Sequence, residues 1–339
     1  MQPPSAGRIL VTGGGGFIGS YIVRELLARG RDVAIFGRGE LSPEARFILG
    51  PGAAAIPIEV GSVEDLPRVI AAVQRLRPAA IVHAAGSVDT VGLLGNPYLA
   101  SRAILDGTLN VFEAARLFDV ARVVYLSSIG VLPTIQYQPI DGAHPLVLPR
   151  EGPGSGAYGA AKASGELFGF AYEHAYGLDV RTVRPSAAYG FGMRPHSANY
   201  MKQFVEPAVR GEPVRLDHGG ALPRDYTHVA DIASLTAAVL DAPDAADRIF
   251  FGGTGEPLTT ASQAARIVMD LVPGARIEIA DTLADDDLHE IAFRGVLSIR
   301  NAQEQLHWEP AYRSLRDGIG EYIERYRAFL ATGAAAPQA

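Results

Sequence analysis

The sequence predicts an α/β protein, a doubly wound parallel sheet followed by a smaller, mixed C-terminal part. Three observations carry that expectation. Short apolar runs alternate with stretches of helical periodicity from Arg8 to Pro185. The first such run ends in four consecutive glycines, Gly13 to Gly16, and a helical pattern starts directly after them. Beyond Pro185 the clean alternation stops, so a second packed unit is expected from about 186 to 330. A chain of 339 residues is long enough to bury cores for both.

Composition narrows the function classes. A formal net charge of −7 argues against a general binder of nucleic acid or anionic membrane. The chain has no cysteine, which excludes disulfides, thiolate metal sites and cysteine nucleophiles. Its eight histidines show no zinc-ligand spacing with a third ligand nearby, so no metal is expected. Met1 to Gly7 lacks a basic-then-apolar pattern and no apolar run is long enough to cross a bilayer, so a cytoplasmic protein is expected. The Ala-, Gly- and Pro-containing tail over 331–339 is expected to be disordered.

Taken in order, Ile9-Leu10-Val11 reads as a buried strand, and Ile18, Ile22, Val23, Leu26 and Leu27 as one face of a helix ending at Gly30. A strand, a Gly-rich turn and a helix N-terminus make an anion site. The backbone approaches a pyrophosphate closely there, and free N–H groups and the helix dipole favour its charge. Asp32 to Phe36 is expected as the second strand, Ile56 to Val60 as the third and Ala80 to His83 as the fourth. Helices are expected over Asp65 to Leu76 and Leu99 to Asp119. Arg122 to Leu126 reads as a fifth strand, and Leu132 to Gly156 as a long Pro- and Gly-rich loop over the site. A helix then runs to about Tyr176, and Asp179 to Arg184 is the return strand. Parts of 225–255 are expected to pack back on the first unit. His83 reads as a packed structural histidine.

Tyr158 and Lys162 are four residues apart, on one face of a helix. A carbonyl being reduced needs a proton donor, and an alcohol being oxidised needs a base. A tyrosine is a poor base near neutral pH, and a neighbouring ammonium favours its phenolate. Ser128, at a strand end, can hydrogen-bond the same substrate oxygen. A Ser–His–Asp hydrolase is disfavoured, because the serine lacks a Gly-x-Ser-x-Gly elbow.

Thr12-Gly13-x-x-Gly16-x-x-Gly19 resembles the glycine motif of the short-chain dehydrogenase/reductase superfamily, and Gly16-Phe17-Ile18-Gly19 resembles its extended branch, the NAD-dependent epimerase/dehydratase family. Arg224-Asp225-Tyr226-Thr227-His228-Val229-Ala230-Asp231 and Leu306-His307-Trp308-Glu309-Pro310 resemble later motifs of that branch, with His307 where a glycine is usual. Landmarks from Arg8 to Pro310 span nearly the whole chain.

The resemblance implies a Rossmann-type dinucleotide-binding domain over 1–185 and a substrate-binding domain over 186–330. It implies Tyr158 as acid/base, Lys162 lowering its pKa and holding the nicotinamide ribose, and Ser128 orienting the substrate. Gly13, Gly16, Phe17, Ile18, Gly19, Glu59, Val60, Ala84, Ala85, Gly86 and Pro185 would join Tyr158 and Lys162 around the cofactor. Gly37 stands where NAD-selective relatives place Asp, and Arg38 follows, which resembles NADP-using members; NADP is slightly favoured over NAD. Ser87, Ile129, Asn199 and Arg224 would face the substrate, with Arg224 and Asn199 on the diphosphate of a nucleotide sugar. Ile104 replaces the first Asn of the family's N-x-x-G-T-x-N helix motif, which puts that Asn's proton relay in doubt.

The implied activity is hydride transfer at a carbinol or carbonyl carbon in an oxidoreductase, epimerase or dehydratase. Two alternatives stay open: an NADP-dependent reductase of a small free carbonyl or hydroxysteroid-like compound, and a non-catalytic redox-sensing dinucleotide binder. The helices near 99–118 and 156–176 resemble those that pair in family dimers, so a homodimer is expected.

Overall fold

The computed structural model describes residues 7–86, 96–147, 156–194, 199–244, 246–292 and 294–333. Ser87, expected at the substrate, lies outside the described residues, as does the end of the tail.

Strands β1 (Ile9–Thr12), β2 (Val33–Gly37), β3 (Ile58–Val60), β4 (Ala80–His83), β5 (Arg122–Leu126) and β6 (Asp179–Pro185) form one sheet with the strand Ile249–Gly252. The spatial order is Ile249–Gly252, β6, β5, β4, β1, β2, β3, and every neighbouring pair is parallel. Buried on both faces, β1, β4 and β5 are unbroken apolar or nearly apolar runs without alternation. The order reverses between β1 and β4. A crevice therefore opens beyond their C-terminal ends, where Thr12 leads into the glycines and His83 into Ala84.

Helices α1 (Phe17–Ala28), α2 (Pro43–Leu49) and α3 (Leu66–Leu76) follow the first three strands. On one sheet face α3 packs with the helices Gly107–Leu117 and Gly156–Tyr176 around Leu10, Phe36, Ile81, Phe112 and Tyr125. On the other, α1 packs on the helix Val229–Leu240, within a core that continues into the C-terminal lobe through Tyr189, Phe204, Trp308 and Tyr322.

That lobe pairs Ala187–Tyr189 with Tyr226–His228, Pro223–Arg224 with Thr259–Thr260, and Val214–Leu216 with Ile277–Ile279. Helices Met201–Arg210, Ala261–Leu271, Asp285–Ile291, Arg300–Leu306 and Leu315–Ala331 complete it. The last of these carries regular structure to Ala331, into the first residue of the stretch expected to be disordered. Among the described residues no helix is long and apolar enough to cross a membrane.

Two local expectations are corrected. The third strand is shorter than expected, because Gly50–Ala55 closes into a 3₁₀ turn before it. The long helix expected near 99–119 is divided. Pro97–Ser101 passes into a π turn, Arg102–Asp106, before Gly107–Leu117. The segment after Leu132 is an irregular loop over its described part, 132–147, and it is tied down: Ile135 N–H donates to Ala292 O, and Ile140 exchanges backbone bonds with Val296 and Ser298 at 2.8 and 2.7 Å. Its partners lie about 150 residues away and carry no pattern that pairs with it, so the sequence hides the contact.

Candidate active site

Gly13 turns the chain out of β1 with φ of +70°, and its N–H donates to Phe36 O at 2.8 Å. A Cβ there would lie 2.8 Å from the backbone N of Ala85, so only glycine lets the two sides of the crevice meet this closely. Gly16 caps α1 with no side-chain hydrogen bond, which leaves first-turn N–H groups to an incoming anion. Phe17 and Ile18 are half-buried in that first turn, with Gly19 behind them. This cradle, filled by any Cβ, fits the pyrophosphate of a dinucleotide.

Around it, Val60 is 59% exposed at the end of β3, an apolar surface where water would otherwise be met. Glu59 beside it accepts from Arg75 at 2.7 Å. Arg38 is exposed just past β2. Ala84 and Ala85 are half-buried and Gly86 exposed, and a Cβ on Gly86 would come within 3.5 Å of Lys162 Nζ. Pro185 is buried at the end of β6.

The helix Gly156–Tyr176 brings Tyr158 and Lys162 to this crevice. It sits close on the sheet because Gly165 meets Tyr125, where a Cβ would lie 2.6 Å from the phenol oxygen. Lys162 is 5% exposed; its Nζ donates to Leu126 O at 2.6 Å and lies 4.9 Å from the Tyr125 ring centroid. Burial pulls its pKa down to about 8, partly offset by Glu166 one turn on. Glu166 is held by Arg184 in a buried two-point pair of 2.9 and 2.6 Å.

Ser128 terminates the β5 segment; its Oγ accepts from Gly130 N–H at 3.0 Å and a hydrogen bond to Tyr158 holds that phenol's pKa down. Burial outweighs this and pushes the Tyr158 pKa up. The structure thus brings Ser128, Tyr158 and Lys162 to one site, but Tyr158 is a resting phenol rather than a phenolate. Ile104, 1% exposed, packs with Ala157, Tyr158 and Ala161 on the helix side of that ring.

His83 is wholly buried, and its pKa is pulled down to about 3 by burial and then by Lys162. Ala85 N–H can only donate, and it meets Thr12 Oγ1 at 3.3 Å. Thr12 then donates to His83 Nδ1 at 2.7 Å, His83 Nε2–H to Thr108 Oγ1 at 3.1 Å, and Thr108 to Ile104 O at 2.5 Å. Every donor has its acceptor. The neutral histidine ties the cofactor-side turn to the π turn, a structural role.

On the strand Pro223–Arg224 of the C-terminal lobe, Arg224 is 1% exposed and its Nη2 lies 2.9 Å from Glu290 Oε2. Arg294 Nη2 donates to the same oxygen at 2.6 Å. Arg224 Nε has no hydrogen-bond partner, nor has the buried Tyr226 hydroxyl, whose pKa burial pushes up to about 12. Glu290 is thus a carboxylate within reach of both guanidinium groups.

Two expected substrate residues are placed otherwise. Asn199 donates to Ala188 O at 2.8 Å and accepts from Met201 N–H at 3.1 Å, so its amide shapes the backbone. Ile129 is 3% exposed and packs with Ile140, Phe251 and Leu297. The remaining motif residues bind the lobes together: Asp225 accepts from Thr227 and Thr254, and Asp231 from the N–H groups of Ala311 and Tyr312 at 2.7 and 3.0 Å. Glu290 and Arg294 went unread in the sequence, since neither lies in a motif that singled it out.

Among the described residues no group of three His, Asp or Glu side chains is disposed to hold a metal. Two surface concavities, one lined by Arg215, Ser262 and Asp281 and one between α1 and the 50–57 turn, include none of these groups in their lining.

Residues 9–251 match the NAD dependent epimerase/dehydratase family. The chain belongs to that family. Among its relatives, the UDP-glucose 4-epimerase of Mycolicibacterium smegmatis is 28% identical, over 94% of this chain and 98% of the relative. UDP-glucuronic acid decarboxylase 1 of Arabidopsis thaliana is 27% identical, over 94% of this chain and 70% of the relative. Among solved structures, the UDP-glucose 4-epimerase of Thermus thermophilus in complex with NAD is 29% identical, with a TM-score of 0.78 over 94% of this chain and 99% of that one. The family member described here therefore shares its architecture with a structure that holds the dinucleotide.

Proposed function

We propose that this family member is an NAD(P)-dependent epimerase or dehydratase of a nucleotide-linked sugar, working by hydride transfer at a carbinol carbon. One observation carries the reading: Lys162 reaches the turn after β4 at Gly86 and Tyr158 meets Ser128, beside the glycine crevice. NAD(P), which the Gly13–Gly19 turn and Lys162 would hold, would supply hydride acceptance and return at the carbinol carbon. Tyr158 takes the hydroxyl proton as the carbonyl forms and gives it back as the alcohol is restored. Ser128 holds the same oxygen, and Lys162 supplies the positive charge that makes a phenolate accessible. Arg224 and Arg294 hold the diphosphate, leaving the sugar toward Tyr158.

The test is mass spectrometry of nucleotide released from denatured purified protein, followed by incubation with UDP-glucose and analysis of the sugar. Retained NAD and an inverted or dehydrated sugar support the reading. An empty site that turns over only free carbonyls with NADPH overturns it in favour of the reductase.

Gly37 and Arg38 favour acceptance of NADP, since no carboxylate closes β2 and a guanidinium follows it. Replacing Arg38 with Ala is expected to weaken NADP binding while leaving NAD binding nearly unchanged, by fluorescence titration. Equal losses for both would assign Arg38 to loop structure instead.

A homodimer is the expected assembly. Leu167, 61% exposed, lies with Phe168, Phe170 and Tyr176 on the helix Gly156–Tyr176, and Leu117 is exposed on the neighbouring helix. Such a patch costs free energy in water and is covered when a second copy packs against it. Light scattering at micromolar concentration is expected to give twice the chain mass, and Leu167→Asp to return it to one chain.

A further inference from the structure

We propose that Glu290 is an internal stand-in for a substrate phosphate, a carboxylate that neutralises Arg224 and Arg294 until a diphosphate displaces it. The inference rests on the nucleotide-sugar reading and goes beyond it, because it predicts that an acidic residue in the site opposes binding.

Both arginines reach one oxygen, Glu290 Oε2, at 2.9 and 2.6 Å. That convergence of two guanidinium groups on one anionic oxygen is the arrangement a phosphate oxygen demands. The three side chains differ in accessibility, at 1% for Arg224, 9% for Arg294 and 24% for Glu290. The carboxylate is therefore the member that can leave for water, while the cations stay fixed.

Its mounting permits this. Glu290 lies at the end of the two-turn helix Asp285–Ile291, on which Leu288 is 54% exposed. Asp287, one turn earlier, anchors the helix by accepting from Ala284 N–H at 2.9 Å and pairing with His218 Nδ1 at 2.8 Å. The anchor and the displaceable group are separate residues, so Glu290 can swing out without the helix start letting go. Without an internal anion, two buried guanidinium groups in mutual repulsion would destabilise the empty site. With one, each binding event must exchange carboxylate for phosphate, and affinity is set by the difference.

The test is calorimetric titration of UDP, with uridine as the phosphate-free control, into wild type, Glu290→Gln and Arg224→Ala. Glu290→Gln is expected to bind UDP about tenfold more tightly, as loss of one competing charged contact implies. Uridine affinity is expected to be unchanged. In thermal melts the ligand-free variant is expected to melt lower than wild type, and UDP to raise its melting temperature by more. If Glu290→Gln does not fold, Glu290→Asp withdraws the carboxylate by one methylene and is expected to tighten UDP binding in the same direction.

Equal or weaker UDP binding by the folded variant overturns the inference while Arg224→Ala still loses UDP. Failure of wild type itself to bind UDP, GDP or dTDP overturns the nucleotide-sugar reading, and the stand-in with it.

Discussion

Replacing Tyr158 with Phe is expected to lower turnover by about a hundredfold or more while leaving cofactor affinity almost intact, since general acid–base catalysis supplies that much. The substitution removes one hydroxyl from a ring that keeps its packing against Ile104 and Ala161. What it removes is the group that must cycle between phenol and phenolate. In the resting site burial favours the phenol, and Ser128 only partly offsets that. In the proposed mechanism the compensating charge is assigned to Lys162, whose pKa near 8 keeps most of it protonated at neutral pH.

The sign follows directly. Support from the ammonium is full well below pH 8 and is lost as the pH rises through that value, so turnover that depends on it declines on the alkaline side. Lys162→Met is expected to remove this limb and to weaken cofactor binding as well. Steady-state kinetics across pH, with cofactor titration by fluorescence, checks all of these. Turnover of Tyr158→Phe within about tenfold of wild type would dismiss Tyr158 as the acid–base group.

Replacing Arg224 with Ala is expected to raise the dissociation constant for a nucleoside diphosphate by about ten- to a hundredfold, the equivalent of one charged hydrogen bond of about 1.5–3 kcal/mol. The protein carries a net charge of −7, so two phosphates need positive charge concentrated locally. Arg224 supplies it from a wholly buried position with an unpartnered Nε. Titration of UDP, GDP and dTDP by calorimetry reads the effect, with a thermal melt to confirm that the variant folds. Unchanged affinity would show that the diphosphate is held elsewhere.

What was legible in the sequence is what local geometry enforces. The glycines between Thr12 and Phe17 announce a strand, a turn and a helix, because no side chain fits where Gly13 passes Ala85. Tyr158 and Lys162 declare one helix face by their spacing alone. His83, read as structural, is fully paired inside the core.

Glu290 and Arg294 were not legible, because nothing in their own neighbourhood distinguishes them from a solvated i,i+4 pair. Only the fold sets Arg224, some 66 residues earlier, against them. Asn199 shows the converse. Its position in the chain suggested a ligand, but two backbone groups nearby claim its amide.

The strand Ile249–Gly252 has a consequence for how this chain can be divided. It covers the outer side of β6, so a fragment ending near Pro185 would expose a bare row of backbone donors and acceptors between Thr182 and Pro185. Arg122 and Arg181 would suffer too. Their guanidinium groups, buried at the base of the sheet, donate to the carbonyls of Leu240, Ala242, Pro243 and Ala246, all of which such a fragment lacks. An open parallel edge beside two guanidinium groups stripped of their carbonyl acceptors, with Asp179 left to both, is a template for self-association rather than a folding unit. The dinucleotide half is thus not a portable module. During synthesis it stays incomplete until the ribosome has released about 70 further residues.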